Sequence, residues 1–191
     1  MSLTLTTAPA IEPVSLALAK THCRIDGTEF DTLLPIWISA ARRRAEHELG
    51  RALITQTWEL ALDEFPVADI ELPMPGVLSI VSVKYLDSTG VEQTVDSADY
   101  ALDAATTPGW VLLASGASWP STYAGANSVK VRFTAGFGPA ASDAHEDVVA
   151  WMLMQIGAMH RHASAVATGV SVTELPGRFV DGLLDRARVY L

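Results

Sequence analysis

The chain has 191 residues, of which 49% are hydrophobic and 18% are charged, and it carries a formal net charge of −9. This length fits one sizeable domain or two small ones. The single cysteine, Cys23, excludes an intrachain disulfide. Because soluble domains typically have about 25% charged residues, the low charge content predicts a surface that is hidden against partner molecules. Alternatively, the low charge content reflects a monomer with a large hydrophobic core.

The sequence shows no targeting or membrane-spanning segment. The N-terminal residues lack the basic and apolar regions of a signal peptide. The most apolar run, residues 148–159, contains Gln155 and is shorter than the roughly 20 residues that a membrane span needs. A lone thiol in a helical, apolar segment is typical of a small buried side chain. We therefore predict a soluble protein in a reducing compartment, with no membrane partner.

Two helices are predicted before residue 50. Ser15 is a candidate N-cap for a short helix that runs to about Arg24. Apolar residues then recur at helical spacing over residues 28–49, and Gly50 follows where a left-handed residue ends a helix.

Two details of the 28–49 helix follow from its sequence. Thr28 is its candidate cap. Pro35 lies inside the segment and would remove one backbone hydrogen bond, which predicts a kink near Leu34.

The hydrophobic period changes from helical to alternating at Leu53, which predicts a half-buried strand. A hairpin turn is predicted at 87–90, where Asp, Ser, Thr and Gly follow a β-branched run. Because the connections are brief, the strands are expected to pair antiparallel. Further short strands are predicted at 77–86, 91–95, 100–102, 110–113 and 129–134.

Helical spacing returns at Ser142 or Asp143. The run 148–159 is apolar nearly all round, which predicts a helix buried on more than one side. Residues 163–177 are small and polar and predict a mobile arm that becomes fixed on assembly, and 179–190 predict a C-terminal amphipathic helix.

The order of these elements predicts an α+β fold. Residues 1–52 and 140–191 would form a helical unit, and residues 53–139 would form an antiparallel β subdomain inserted into it. Helices on the two sides of the insertion are expected to pack together.

Motifs for catalysis or cofactor binding are absent. The sequence has no phosphate-binding glycine loop and no nucleophile elbow. His145, His160 and His162 are the only plausible metal cluster, but residues two apart on a helix point away from each other. We interpret this cluster as a solvated helix end. The prediction is no catalytic, cofactor-binding or metal-binding residue and no cofactor.

The basic run Arg42-Arg43-Arg44 has two interpretations. It contacts nucleic acid or an acidic partner, or it lies on a solvated helix face. The second interpretation is favoured, because Glu46 and Glu48 stand four residues after Arg42 and Arg44 and offset most of the local charge.

Eight stretches form a recognisable series along the chain: residues 12–20, 24–26, 40–42, 50–58, 72–75, 83–87, 118–120 and 129–138. Together they resemble the head-tail connector (head-completion adaptor) family of tailed phages and prophages. Individually each is a packing or turn element, and the order along the chain carries the resemblance. The end of the penultimate helix, residues 159–163, departs from the pattern.

The resemblance implies a non-enzymatic virion protein. It would form a homo-oligomeric ring between the portal protein and the tail-completion proteins, with DNA passing through the centre, and would be in the host cytoplasm during assembly. We expect reversible self-association through the apolar helix 148–159 and the excess of uncharged surface. Because residues 51–142 contain four cationic and ten acidic side chains, a balance of −6, we expect no specific DNA binding.

Two other classes of function remain open at this point. One is a monomeric module whose β subdomain binds a carbohydrate or protein. The other is a hydrolase that uses dispersed carboxylates and His145.

Overall fold

The computed structural model describes residues 1–162 and 182–188. Within these residues the chain is α+β, and every strand pairing is antiparallel, which confirms the predicted fold class and pairing. The helices are α1 (Leu16–Cys23), α2 (Leu34–Leu49) and α3 (Glu146–Arg161); the strands are β1 (Ser2–Thr7), β2 (Gln56–Leu62), β3 (Ile70–Leu72), β4 (Val77–Leu86), β5 (Glu92–Thr94), β6 (Tyr100–Asp103), β7 (Gly109–Leu113) and β8 (Val129–Ala135).

The chain divides into two compact units. The sheet unit comprises Met1–Ala10 and Thr55–Gly138, and the helical unit comprises Ile11–Ile54 and the described residues from Pro139 onward. The sequence pattern predicts that residues 1–52 belong to the helical unit. The first ten residues instead lie in the sheet unit, because β1 pairs antiparallel with β2.

The sheet unit holds two sheets that share one hydrophobic cluster. The five-stranded sheet has the order β1-β2-β8-β4-β5, and the three-stranded sheet has the order β3-β7-β6. Side chains alternate between the two faces of a strand. Phe133 and Val131 of β8 therefore enter the cluster, whereas Lys130 and Arg132 lie on the opposite face. Strands β1 and β3 were not predicted from the sequence.

Helix α1 confirms its predicted start. The Ser15 hydroxyl accepts a hydrogen bond from the Leu18 backbone N–H at 3.1 Å. The helix ends where Arg24 takes a left-handed conformation with φ 57°.

Helix α2 begins six residues later than the sequence prediction, at Leu34 rather than at Thr28. Residues 28–33 form hydrogen-bonded turns. Pro35 therefore stands in the first turn, where a missing N–H costs no hydrogen bond, and the predicted kink is replaced by a helix start. Gly50 ends the helix with φ 66°, as predicted.

Helix α3 also begins later than predicted, at Glu146. The Asp143 carboxylate accepts the Ala140 N–H at 2.8 Å in a preceding 3₁₀ turn, so Asp143 belongs to that turn. The helix packs against both α1 and α2, which agrees with its apolar circumference. Its deeply buried residues are Val148, Trp151, Met152 and Ile156.

Part of the predicted C-terminal helix is described, and there the chain forms turns over residues 182–187. Leu184 and Ala187 are buried. The predicted arm, residues 163–177, and the rest of the predicted helix lie outside the described residues.

Candidate assembly surfaces

The three arginines at positions 42–44 lie in different surroundings. The Arg42 side chain is only 6% exposed, and its Nε donates to Glu12 Oε2 at 2.7 Å. Its Nη1 donates to Glu46 Oε2 at 2.6 Å, and Glu46 Oε1 accepts the Leu53 N–H at 3.1 Å. The Arg42–Glu46 pair is thus confirmed, but the solvated position predicted for Arg42 is wrong. This residue joins the segment before α1, helix α2 and the chain that leaves α2.

The guanidinium of Arg44 lies 6.0 Å from the centre of the Trp151 ring, a distance at which a cation is attracted to an aromatic face. Among the described residues, the predicted Arg44–Glu48 ion pair does not form. Arg44 therefore links α2 to α3.

Arg43 is exposed and belongs to a row of exposed side chains along α2, called here the α2 strip. The strip begins with Leu33 and Ile36, which is 60% exposed, and continues through Arg43 to His47. An apolar start followed by basic side chains suits contact with a protein partner.

The three candidate histidines do not come together as a metal site. His160 packs against the rings of Phe30 and Trp37, with centroid distances of 4.9 and 6.2 Å. The interpretation of His160 as a solvated residue is therefore wrong, while His145 and His162 are exposed. Within residues 1–162 and 182–188, no group of three or more His, Cys, Asp or Glu is placed to hold a metal ion.

Cys23 is half-buried at the end of α1. Burial raises the pKa of its thiol, and the nearby Arg161 opposes this shift in part. A raised pKa keeps the sulfur protonated and unreactive near neutral pH, which agrees with a packing role.

The outer face of the five-stranded sheet carries all three cationic side chains of the sheet unit. Arg132 pairs with Glu59 at 2.7 Å, and Lys84 pairs with Glu92 at 2.7 Å. Lys130 lies next to Lys84 in the β4–β8 register and lowers the pKa of Glu92 together with Lys84. The face is therefore nearly neutral, and the unit's other eight carboxylates lie in loops, in turns or on the smaller sheet.

Two backbone edges of this sheet are open among the described residues. Strand β1 forms one edge and pairs only with β2. At the other edge, β5 pairs with β4 only over residues 84–86. The Val95 N–H donates one further backbone hydrogen bond to the Val83 carbonyl. Within residues 1–162 and 182–188, no strand pairs with residues 77–82 of β4 on that side.

No helix of the described chain combines the length and the apolar character that crossing a membrane requires.

Comparisons with known proteins point to a component of a phage-like particle. Residues 13–96 match the model of a family described as phage gp6-like head-tail connector protein. None of the curated proteins matches the sequence.

Three solved structures are similar to the chain over its full length. A chain of the neck of an empty gene transfer agent particle, computed with C6 symmetry, has a TM-score of 0.79 at 24% identity, which shows the fold alone. A chain of the virion of a native gene transfer agent particle has 0.77 at 25%, and one of the neck of a native particle, computed with C12 symmetry, has 0.72 at 26%. Each match covers 100% of this chain and 97% of the other. The chain is thus similar to the gp6-like head-tail connector family over residues 13–96, and its likeness to chains of phage-like particles supports a structural connector protein.

Proposed function

We propose that this protein is a ring-forming subunit in the neck of a phage or prophage particle, between the portal and the tail-completion proteins. The observation that carries the proposal is the full-length likeness to neck chains in particles computed with C6 and C12 symmetry. The similar region spans both units of the chain. The whole subunit, rather than one borrowed domain, is therefore suited to the same task.

The subunit works through assembly rather than through chemistry. Its structural relatives are virion components. A closed ring needs two different surfaces on each subunit, one for each neighbour. The α2 strip and the open strand edges supply such surfaces. Helix α3, the segment expected to mediate self-association, buries four side chains in the helical unit but leaves Val149, Leu153 and Met154 partly exposed.

We also propose that residues 55–138 are an insertion into the helical unit, much as the sequence indicates, with residues 1–10 added to the inserted sheet unit. Each unit has its own buried residues. The Arg42 network, which ties residue 12 to residue 53, holds together the parts of the helical unit that precede the insertion.

The oligomeric state tests the central part of the proposal. Sedimentation velocity from micromolar to millimolar concentration should show reversible self-association of the isolated protein. Addition of purified portal rings should shift the protein into a complex at much lower concentration, because the portal arranges weak contacts side by side. A protein that stays monomeric at millimolar concentration and does not join portal rings would contradict the proposal.

The ring should guide DNA without holding it. The sheet unit has three cationic side chains against ten acidic ones, a side-chain balance of −7, and two of the cations are paired with carboxylates. Strong phosphate contacts would slow a passing genome. Titration of the isolated protein with duplex DNA at about 50 mM salt should therefore show no micromolar binding.

A double variant, Glu59→Gln with Glu92→Gln, sharpens the DNA test. It releases Arg132 and Lys84 from their carboxylates and leaves three unneutralised cations on one face. We expect weak binding that falls with salt, with a log–log slope of up to about 2.7 for three phosphate contacts. Salt-sensitive micromolar binding by the unchanged protein would instead contradict a guiding role.

A further inference from the structure

We propose that the open edge of β4 pairs with strand β1 of a neighbouring copy, so that the five-stranded sheets of adjacent subunits join edge to edge around the ring. The inference rests on the proposed ring and names the contact that closes it.

Both edges lack the charges and prolines that keep many edge strands from pairing, although β1 has a bulge between Leu5 and Thr7. Native monomers place lysine, proline or inward charges on such edges. The β1 segment, residues 2–7, and the open β4 segment, residues 77–82, contain no charged residue and no proline. Their absence is notable in a unit whose side-chain balance is −7. Two uncharged edges meet without repulsion, whereas the unit as a whole carries a net negative charge that opposes association of its copies.

The bulges of β4 turn this edge into an apolar surface. The pairing with β8 shifts between Val77 and Ser79 and again between Ile80 and Ser82, which leaves Leu78 and Val81 without a partner in β8. Bulges twist a strand and can blunt an edge. Here they leave Leu78 45% exposed and Val81 53% exposed, side chains that an added strand would cover.

The two segments match in length and direction. Each is six residues long, about 20 Å of strand. Because all neighbours in the sheet are antiparallel, β1 runs in the same direction as β5 and opposite to β4. A neighbour's β1 would therefore lie beside residues 77–82 of β4, end to end with β5 and running in the same direction. The contact is head-to-tail, as a ring requires.

A charge on the β4 edge gives the first test. Val81→Lys should weaken self-association in sedimentation by at least about tenfold, because lysine on an edge opposes pairing. Val91→Lys is the matched control, since Val91 is 55% exposed in the same unit but lies outside the open segment. We expect its association to stay within about twofold of the unchanged protein.

Cross-linking gives the second test and excludes a folding artefact. In a Cys23→Ala background, Thr4→Cys is combined with Ser79→Cys or with Ser82→Cys, since these positions lie on the outer face of the two edges. Within one subunit β1 and β4 are three strand spacings apart, about 14 Å, which is too far for a disulfide. Oxidation of portal-bound protein should therefore give a ladder of covalent dimers, trimers and larger species.

The controls separate this inference from the proposed ring. Thr4→Cys combined with Ser88→Cys, at the exposed β4–β5 turn, should give no ladder, and each single variant should give dimers at most. Portal-bound protein without a ladder in either pair, together with unchanged association of Val81→Lys, would overturn the edge contact while leaving the ring intact. Cross-links to the portal instead of to another copy would also overturn it.

Discussion

Arg42→Ala should lower the free energy of unfolding by about 3–5 kcal/mol, because it removes the guanidinium that pairs with the largely buried Glu46 carboxylate. It also releases Glu12, which holds the segment before α1 against α2. Urea denaturation followed by circular dichroism measures the change. Arg43→Ala is a matched control, since Arg43 is the next residue on the helix and is exposed; its effect should stay within about 0.5 kcal/mol.

Equal effects of the two substitutions would show that Arg42 is not an internal link. Replacing Arg42 by Met provides a further check. Methionine keeps much of the arginine volume but not its charge. A loss close to that of alanine therefore points to the lost ion pairs, and a full recovery points to packing alone.

Phe133→Ala should cost about 3–5 kcal/mol of unfolding free energy, because Phe133 is fully buried in the cluster shared by the two sheets. It stands in the central strand β8, opposite Trp58 on one side and Ile80 on the other. Truncation leaves a cavity that strands held on both sides cannot close easily.

The neighbouring substitution Arg132→Ala is the control for the sheet unit. Arg132 points to the outer face and pairs with Glu59, and its side chain is 46% exposed, so its loss should cost less than about 1 kcal/mol. Guanidinium denaturation of both variants measures the difference. A similar cost at positions 132 and 133 would contradict the alternation of buried and exposed residues along β8.

Local signals in the sequence predicted most elements of the fold. Ser15 caps α1, Gly50 ends α2, and the β4–β5 turn forms at Asp87, whose carboxylate accepts bonds from Thr89, Val91 and Gln93. These hydrogen bonds hold the pKa of Asp87 far below its usual range. Each of these features depends on residues a few positions apart, which is why sequence reasoning can find them.

Features that depend on distant partners were not predicted. Strand β1 is short and half polar. It is a strand only because it pairs with β2, which lies more than fifty residues later in the sequence. Arg42 looked solvated because its helix neighbours are charged, but its second partner, Glu12, is thirty residues earlier. Pro35 was read as a kink inside a helix, because the sequence alone did not reveal that residues 28–33 form turns.

The same reason explains which assembly surfaces the sequence missed. The low charge content predicted hidden surface, and the most apolar helix contacts α1 and α2 and buries four of its side chains there. The exposed edge residues Leu78 and Val81 follow from bulges that only the pairing with β8 creates. A strand edge has no signature in a single sequence, since it is defined by the neighbour that is missing.

Electron cryomicroscopy of the protein mixed with its purified portal tests the central claim most directly. The account predicts a closed ring of this protein on the portal axis, with an open channel wide enough for duplex DNA and with each subunit contacting two neighbours through different surfaces. Portal particles without added density, or with separate copies that do not touch one another, would contradict it.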